Sequence, residues 1–310
     1  MKKIISIITP TFNEELNIEK LCLEISRQMS GLDYDYEHLI IDNSSTDKTQ
    51  QIVKKLCDID KRIKAIFNVR NFGHLRSPFY GLLQCKGDAV IFIASDFQDP
   101  IELIPSLIQK WSNGHEVVLL QKNSSDESFI INFLRKLFYK FINLISDIDL
   151  TINTTGSGIF DKKIINILKL IDEPYPYFRG LISEISKKVE TIPFNQPKRK
   201  YGKSKNNFYT LYDVAMLGII KHSKIPLRVT TIFGFICSAV SLIIGLFFFI
   251  YKILYWNSFQ LGMAPVIIGI FFGIAIQVFL LGIIGEYVGF ILTQSRKMPL
   301  VIEKERINFN

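Results

Sequence analysis

Hydrophobic and polar positions along this 310-residue chain fall into two regimes. Up to about residue 206, short apolar runs are separated by polar, turn-forming clusters. Beyond residue 224 come two long apolar runs, 225–251 and 263–293. About 20 apolar residues at a rise of about 1.5 Å each cover the hydrocarbon core of a bilayer, and both runs exceed that. Their charged residues are Arg228 at the entry to the first run and Glu286 toward the end of the second, with Lys252 just past the first exit. Runs of this length outstrip ordinary globular helices and predict two transmembrane helices.

Before them the pattern alternates. Residues 4–9 (IISIIT) form a continuous β-branched apolar run, as in a buried parallel strand. Residues 14–29 show helical periodicity through Leu16, Leu21, Leu23 and Ile25. Residues 36–42 predict a second strand, and 44–56 a helix opened by a Ser/Thr/Asp cluster suited to capping. A strand at 63–67, a helix at 78–84, a strand at 89–94, a helix at 101–111 and a strand at 116–121 follow. The alternation predicts an α/β domain over 1–206, with an open, mostly parallel sheet and helices on both faces. An amphipathic juxtamembrane segment at 207–224 leads into the spans, and 296–310 forms a tail.

Charge orients this arrangement. Lys221, Lys224 and Arg228 flank the first run, Arg296 and Lys297 follow the second, and the connection at 252–262 carries one Lys. The positive-inside rule puts the large domain and the tail in the cytoplasm, at the cytoplasmic (inner) membrane. Tyr251, Tyr255 and Trp256 suit an aromatic belt at the far interface. The start, Met1-Lys2-Lys3 and a short apolar run ending at Pro10, does not read as a secretory signal peptide. Cys22, Cys57, Cys85 and Cys237 lack metal-like spacing and read as reduced thiols. The net charge of +8 fits work against an anionic lipid surface. No recognition motif or basic helix supports nucleic acid as a partner. Gly269, Gly273, Gly282, Gly285 and Gly289 permit close helix contact and hence a homo-oligomer. Glu286 needs a partner or the headgroup region, and reads as a packing residue between helices or subunits.

Open α/β sheets bind ligands beyond the C-terminal ends of their strands. Three polar clusters fall there: 9–14, 42–47 and 95–99. Asp96 and Gln98 offer oxygens to Mg²⁺ or Mn²⁺. Asp42, Asn43 and Ser44 suit a base or ribose.

TPTFNEELNI at 9–18, IDNSSTDKT at 41–49, NFGHLRSPFYGL at 71–82 and ASDFQDP at 94–100 resemble the ordered motifs of glycosyltransferase family two, whose fold is GT-A. RKYGKSK at 199–205 is similar to the RxxGxSK segment of its polyprenyl-phosphate branch, which includes dolichol-phosphate mannose synthases and bactoprenol glucosyltransferases. LGIIGEYVG at 281–289 and KMP at 297–299 resemble that bacterial branch's last span. The resemblance implies nucleotide-sugar contacts from Pro10, Thr11, Asn13, Glu14, Asp42, Asn43, Asn71 and Asp96. It implies a metal at Asp96 and Gln98, a lipid phosphate at Arg199, Ser204 and Lys205, and catalysis through Asp96, Arg199 and Lys205. Four positions depart from it: Ala94 stands at a usual Asp, Asn43 at a frequent second Asp, and Gly156 and Gly158 at an Asp and an Arg. Ser157, Lys162 and Lys163 are candidate substitutes for the last two.

The resulting expectation is inverting transfer of one sugar, UDP-linked in the donor, to undecaprenyl phosphate. A processive polysaccharide synthase would carry a QxxRW motif and more spans, and this chain has neither. A catalytically degenerate sugar-nucleotide scaffold is the non-enzymatic alternative.

Overall fold

The computed structural model describes residues 2–124, 154–186, 188–197, 213, 216–221, 223–255, 263–296 and 298–309. Alternation is realised almost as the sequence predicts: β1 (Ile4–Thr11), α1 (Ile18–Ser30), β2 (Asp35–Asp42), α2 (Thr49–Ile59), β3 (Ile63–Asn68) and α3 (Gly73–Gln84). Next come β4 (Ala89–Phe92), α4 (Ile104–Ser112, after a 3-10 turn at Ile101–Leu103) and β5 (Val117–Ser124). The sheet unit continues with β6 (Thr154–Asp161), α5 (Lys162–Leu170), α6 (Phe178–Ile185) and β7 (Val189–Asn195), then ends with β8 (Glu303–Ile307).

These strands form one sheet in the order β7-β5-β6-β4-β1-β2-β3-β8. β2, β1 and β4 are parallel neighbours, β3 continues the set, and β7 runs parallel to β5. Two antiparallel elements interrupt this pattern: β6, between β4 and β5, and β8, on the outer edge of β3. Alternate side chains feed two cores. Ile7 packs on one face with Ile25, Val53, Leu107 and Trp111; Ile8 packs on the other with Ile41, Phe79, Leu82, Phe160 and Leu181.

Helix α1 corrects one periodicity. Its buried stripe is Ile18, Leu21, Cys22, Ile25 and Met29, while Leu16 and Leu23 are 59% and 64% exposed. Cys22, Cys57 and Cys85 are buried free thiols, and burial pushes Cys22 and Cys57 up to about 12, as inert structural residues require.

The tail is the main revision. Instead of trailing from the last helix, it returns to the sheet as β8. Asn308 Nδ2 donates to the carbonyls of Cys57 and Ile63 at 2.7 Å each, and Val69 N donates to Ile302 O at 3.0 Å. The Tyr80 hydroxyl donates to Glu303 Oε1 at 2.7 Å, and Arg306 Nη2 to Gln84 Oε1 at 2.8 Å. The charged sequence EKERI suits an exposed sheet edge.

The chain divides into two compact units. The first holds the sheet and Arg296–Asn310; the second holds Ile219–Ser295. In the second, α7 (Ile225–Leu254, 30 residues) and α8 (Met263–Ser295, 33 residues) are about 45 and 50 Å long. Phe272–Ser295 is long and apolar enough to cross a membrane, while the apolar part of α7 among the described residues, Ile225–Ser241, is shorter. Large apolar side chains stay exposed on both helices, including Phe235, Phe272 and Phe279. A Cβ on Gly269, Gly273, Gly282, Gly285 or Gly289 would meet nothing within 4 Å. Within this unit the Tyr287 hydroxyl donates to Ser223 O at 3.0 Å. Residues 207–212, 214, 215 and 222 of the juxtamembrane segment, and the connection at 256–262, lie outside the described residues.

His38, in the centre of β2, is buried with its Nε2 2.9 Å from the Thr9 hydroxyl, and desolvation lowers its pKa to about 4. Its unfolded value is about 6.5, so between those pH values the unfolded chain binds more protons. The stability contributed by neutral His38 is therefore full above pH ~6.5 and is lost as pH falls toward 4. We expect thermal stability in detergent to drop between pH 7 and pH 5, and His38→Gln to flatten that dependence.

Candidate active site

The three polar clusters leave neighbouring strand ends, and the first two are stitched to each other. Beyond β1, Asn13 N donates to Ser45 Oγ at 2.8 Å, and Asn13 Oδ1 accepts from Thr46 N at 2.7 Å. Glu14 N donates to Thr49 Oγ1 at 2.8 Å, and Asn17 Nδ2 donates to Glu14 Oε2 at 2.6 Å. Pro10 lies within β1 and Thr11 at its end; the Thr11 hydroxyl is 3.4 Å from Asp42 Oδ1. These contacts delay α2: residues 44–48, expected as its first turn, form the loop that meets the first cluster.

Asp42 is fully buried and accepts from Ser45 N at 3.0 Å, Gln50 Nε2 at 2.7 Å and the Ser45 hydroxyl. Asn43 is a clamp. Its amide nitrogen donates to Asn71 Oδ1 at 2.9 Å and Gly73 O at 3.1 Å, while its oxygen accepts from Phe72 N at 2.9 Å and Asn68 Nδ2 at 3.2 Å. A carboxylate here could not make the two donations, so the departure to Asn at 43 fits the fold of the 68–73 turn. Asn71 itself is exposed and also accepts from Gly73 N at 2.7 Å.

The third cluster follows β4. Asp96 Oδ1 accepts from Gln98 N at 3.1 Å, and both residues are half-buried. Asp99 is buried, and accepts from Ala94 N at 3.2 Å and Ser157 Oγ at 2.5 Å. Burial pushes its carboxyl above the usual range. Asn13, Ser44 and Phe97, one per cluster, have φ of 57°, 65° and 58°. Left-handed backbone at non-glycine residues is costly and concentrates where a fixed shape is needed.

β6 settles what stands at 156 and 158. A Cβ at Gly158 would lie 2.1 Å from Val118 O, so no side chain, and no arginine, fits there. Gly156 has φ +87°, and its missing side chain faces Arg179 of α6. Ser157, one candidate substitute, is spent on Asp99. Lys162 and Lys163, the others, start α5 beside Asp88 and Glu116, at the opposite end of β6 from Ser157. Asp99 and Arg179 were not singled out from sequence. Asp99 sits inside a recognised cluster, but Arg179 has no local signal. Arg199, Ser204 and Lys205 lie outside the described residues.

A metal can be weighed by donor chemistry. Among the described residues no group of three His, Cys, Asp or Glu forms a metal cage. Asp96, with Gln98 two residues on, fits a cation held by one carboxylate and completed by substrate phosphate oxygens and water, the usual Mg²⁺ arrangement.

Residues 6–168 match the profile of Glycosyl transferase family 2. The bactoprenol glucosyl transferase of Shigella phage SfV is 32% identical over 97% of this chain and 98% of its own. The prophage bactoprenol glucosyl transferase homolog of Escherichia coli K12 is 31% identical over 97% and 98%. The crystal structure of a mycobacterial protein, 17% identical, covers 70% of this chain and 73% of its own with a TM-score of 0.50, a likeness of fold. With most of β1, all of β2 through β6 and all three strand-end clusters inside the matched region, this GT-A-like chain belongs to glycosyl transferase family 2 and is a glycosyltransferase.

Proposed function

We propose that the chain transfers a single sugar from a UDP-linked donor to undecaprenyl phosphate on the cytoplasmic leaflet, inverting the anomeric centre. The observation that carries this reading is the near full-length similarity to proteins named bactoprenol glucosyl transferases, which extends through both apolar helices and the tail.

In this mechanism a phosphate oxygen of the lipid attacks the anomeric carbon as the bond to the nucleotide diphosphate breaks, and the electron pair leaves with the diphosphate. A divalent cation, Mg²⁺ or Mn²⁺, would neutralise charge building on that leaving group, held by Asp96 with Gln98. The Asn13, Asp42 and Asn43 network fixes the strand-end loops, so the rim needs little reorganisation when the nucleotide enters. Arg199, Ser204 and Lys205 are assigned to the lipid phosphate, where charge-assisted hydrogen bonds suit phosphoryl oxygens. No carboxylate is needed at Gly156, because a phosphomonoester with a second pKa of about 6 is mostly a dianion at neutral pH and attacks without a general base.

Connectivity supports a reading with two membrane crossings. β8 shares a sheet with β3, so the chain that leaves the first unit near residue 218 and rejoins it at Arg296 crosses any bilayer an even number of times. α8 alone would be an odd crossing, and the 30-residue α7 is the natural second one. The side is read from charge: the flanking Lys and Arg residues favour the cytoplasmic side of the inner membrane for the sheet unit.

A lipid-product assay over a panel of nucleotide sugars tests the reading directly. Transfer should require the lipid phosphate, fail with the neutral polyprenol, and rise to a plateau by about pH 7 as the phosphate ionises. Robust transfer to the alcohol would overturn it. Asp96→Asn should lower transfer by roughly 10²–10³-fold while the thermal melt is kept, with EDTA giving a similar loss in the wild type. In an otherwise Cys-free chain, a cysteine at Ser258 should label with an impermeant reagent on intact cells and one at Ser204 should not; the reverse pattern would invert the orientation.

A further inference from the structure

α6 brings a cation to the strand-end rim from outside all three clusters. β6 runs antiparallel to β4 with Gly158 opposite Phe92, where β4 ends, so Thr154–Ser157 lie alongside the loop that carries Asp96. The Ser157 hydroxyl confirms that proximity by its bond to Asp99. Over this stretch sits Arg179. A Cβ built on Gly156 would be 3.8 Å from both Cγ and Nε of Arg179, so the arginine stem lies on the bare backbone at 156. Its Nη2 donates to Thr155 O at 3.2 Å.

The preceding residue holds this placement. Phe178 meets Phe160 edge-on at 5.1 Å between ring centroids and approaches Phe79 and Phe92 at 6.2 and 6.3 Å. Three aromatic neighbours, two of them on β4 and β6, fix the start of α6 against the strands that carry the site. The half-buried guanidinium is therefore held by packing at Phe178, by the carbonyl of Thr155 and by the space that Gly156 leaves open.

The electrostatics call for such a group. The rim gathers the carboxylates of Glu14, Asp42, Asp96 and Asp99, and the proposed reaction adds a diphosphate and a lipid phosphate. Lys122 of β5, whose charge acts on Asp99, is a second cation on this side. A guanidinium presents N–H donors in a planar fork that matches phosphoryl oxygens.

We propose that Arg179 contacts phosphoryl oxygens of the reacting substrates and is a catalytic residue of the transfer. The assignment rests on the glycosyl-transfer reading above. Phosphoryl oxygens occur in both substrates, so the two are separated by experiment.

With the full-length protein in detergent, equilibrium binding of UDP with Mg²⁺ and, separately, of farnesyl phosphate would be measured for the wild type, Arg179→Ala and Arg179→Lys, each with a thermal melt. Arg179→Ala should raise at least one dissociation constant by about tenfold or more, the loss of a charge-assisted hydrogen bond, and Arg179→Lys should recover part of it. A change confined to UDP places the arginine on the leaving diphosphate; one confined to farnesyl phosphate places it on the acceptor. If Arg179→Ala does not fold, Arg179→Gln replaces it, since an amide can still donate to Thr155 O without the charge. Unchanged affinity for both ligands in a folded, uncharged variant overturns the assignment and leaves Arg179 as a tie between α6 and β6. Absence of UDP and farnesyl phosphate binding in the wild type itself overturns the substrate reading, and this assignment with it.

Discussion

The close approach of β6 to β5 at Gly158 is the constraint on which the acidic rim depends. With a Cβ excluded by the Val118 carbonyl, β6 can slot antiparallel between β4 and β5 only because residue 158 is glycine. That register carries Thr155, Gly156 and Ser157 past the end of β4. Ser157 then anchors Asp99, Asp99 holds the backbone of Ala94, and the loop bearing Asp96 is fixed at both its ends. A glycine that looks like a lost active-site residue is thus a packing requirement whose effect reaches the site through three hydrogen-bonded groups.

Buried polar residues at the other strand ends do similar work. Asp42 and Asn43 have no exposed chemistry; each is enclosed and satisfied by its neighbours. Burying such groups is tolerable only with full hydrogen bonding, and the same bonds specify one loop conformation. They hold the left-handed residue Ser44 in place, and left-handed Asn13 is tied to the same loop through Ser45 and Thr46. Rigidity at the rim is therefore supplied by side chains that sequence reading assigns to the ligand itself.

The parallel core was legible because its strands are continuous apolar runs and its helices repeat their buried positions at helical spacing. Legibility ended where pairing decides structure. TTGSGIFD has two glycines and no alternation, and becomes a strand because β4 and β5 both bond to it. EKERI reads as a charged tail, and is a strand because β3 has an open edge. Leu16 and Leu23 fit an apolar stripe yet are exposed, Leu16 in the turn before α1 and Leu23 off the buried stripe of α1. Arg179 had no motif around it; its position over Gly156 exists only once α6 has packed on the sheet through Phe178.

The place of β8 also sets an order of events during synthesis. The chain is made from its N-terminus, so β3 and its neighbours leave the ribosome while the strand that caps them is still unmade. Between them come α7 and α8, the most apolar segments of the protein. Until these have emerged, β3 keeps a row of unpaired backbone groups on its outer edge, a surface open to pairing with other chains. Completion of the sheet is thereby coupled to delivery of the apolar helices, and a chain that stalls or is cut within them is left with an unfinished domain.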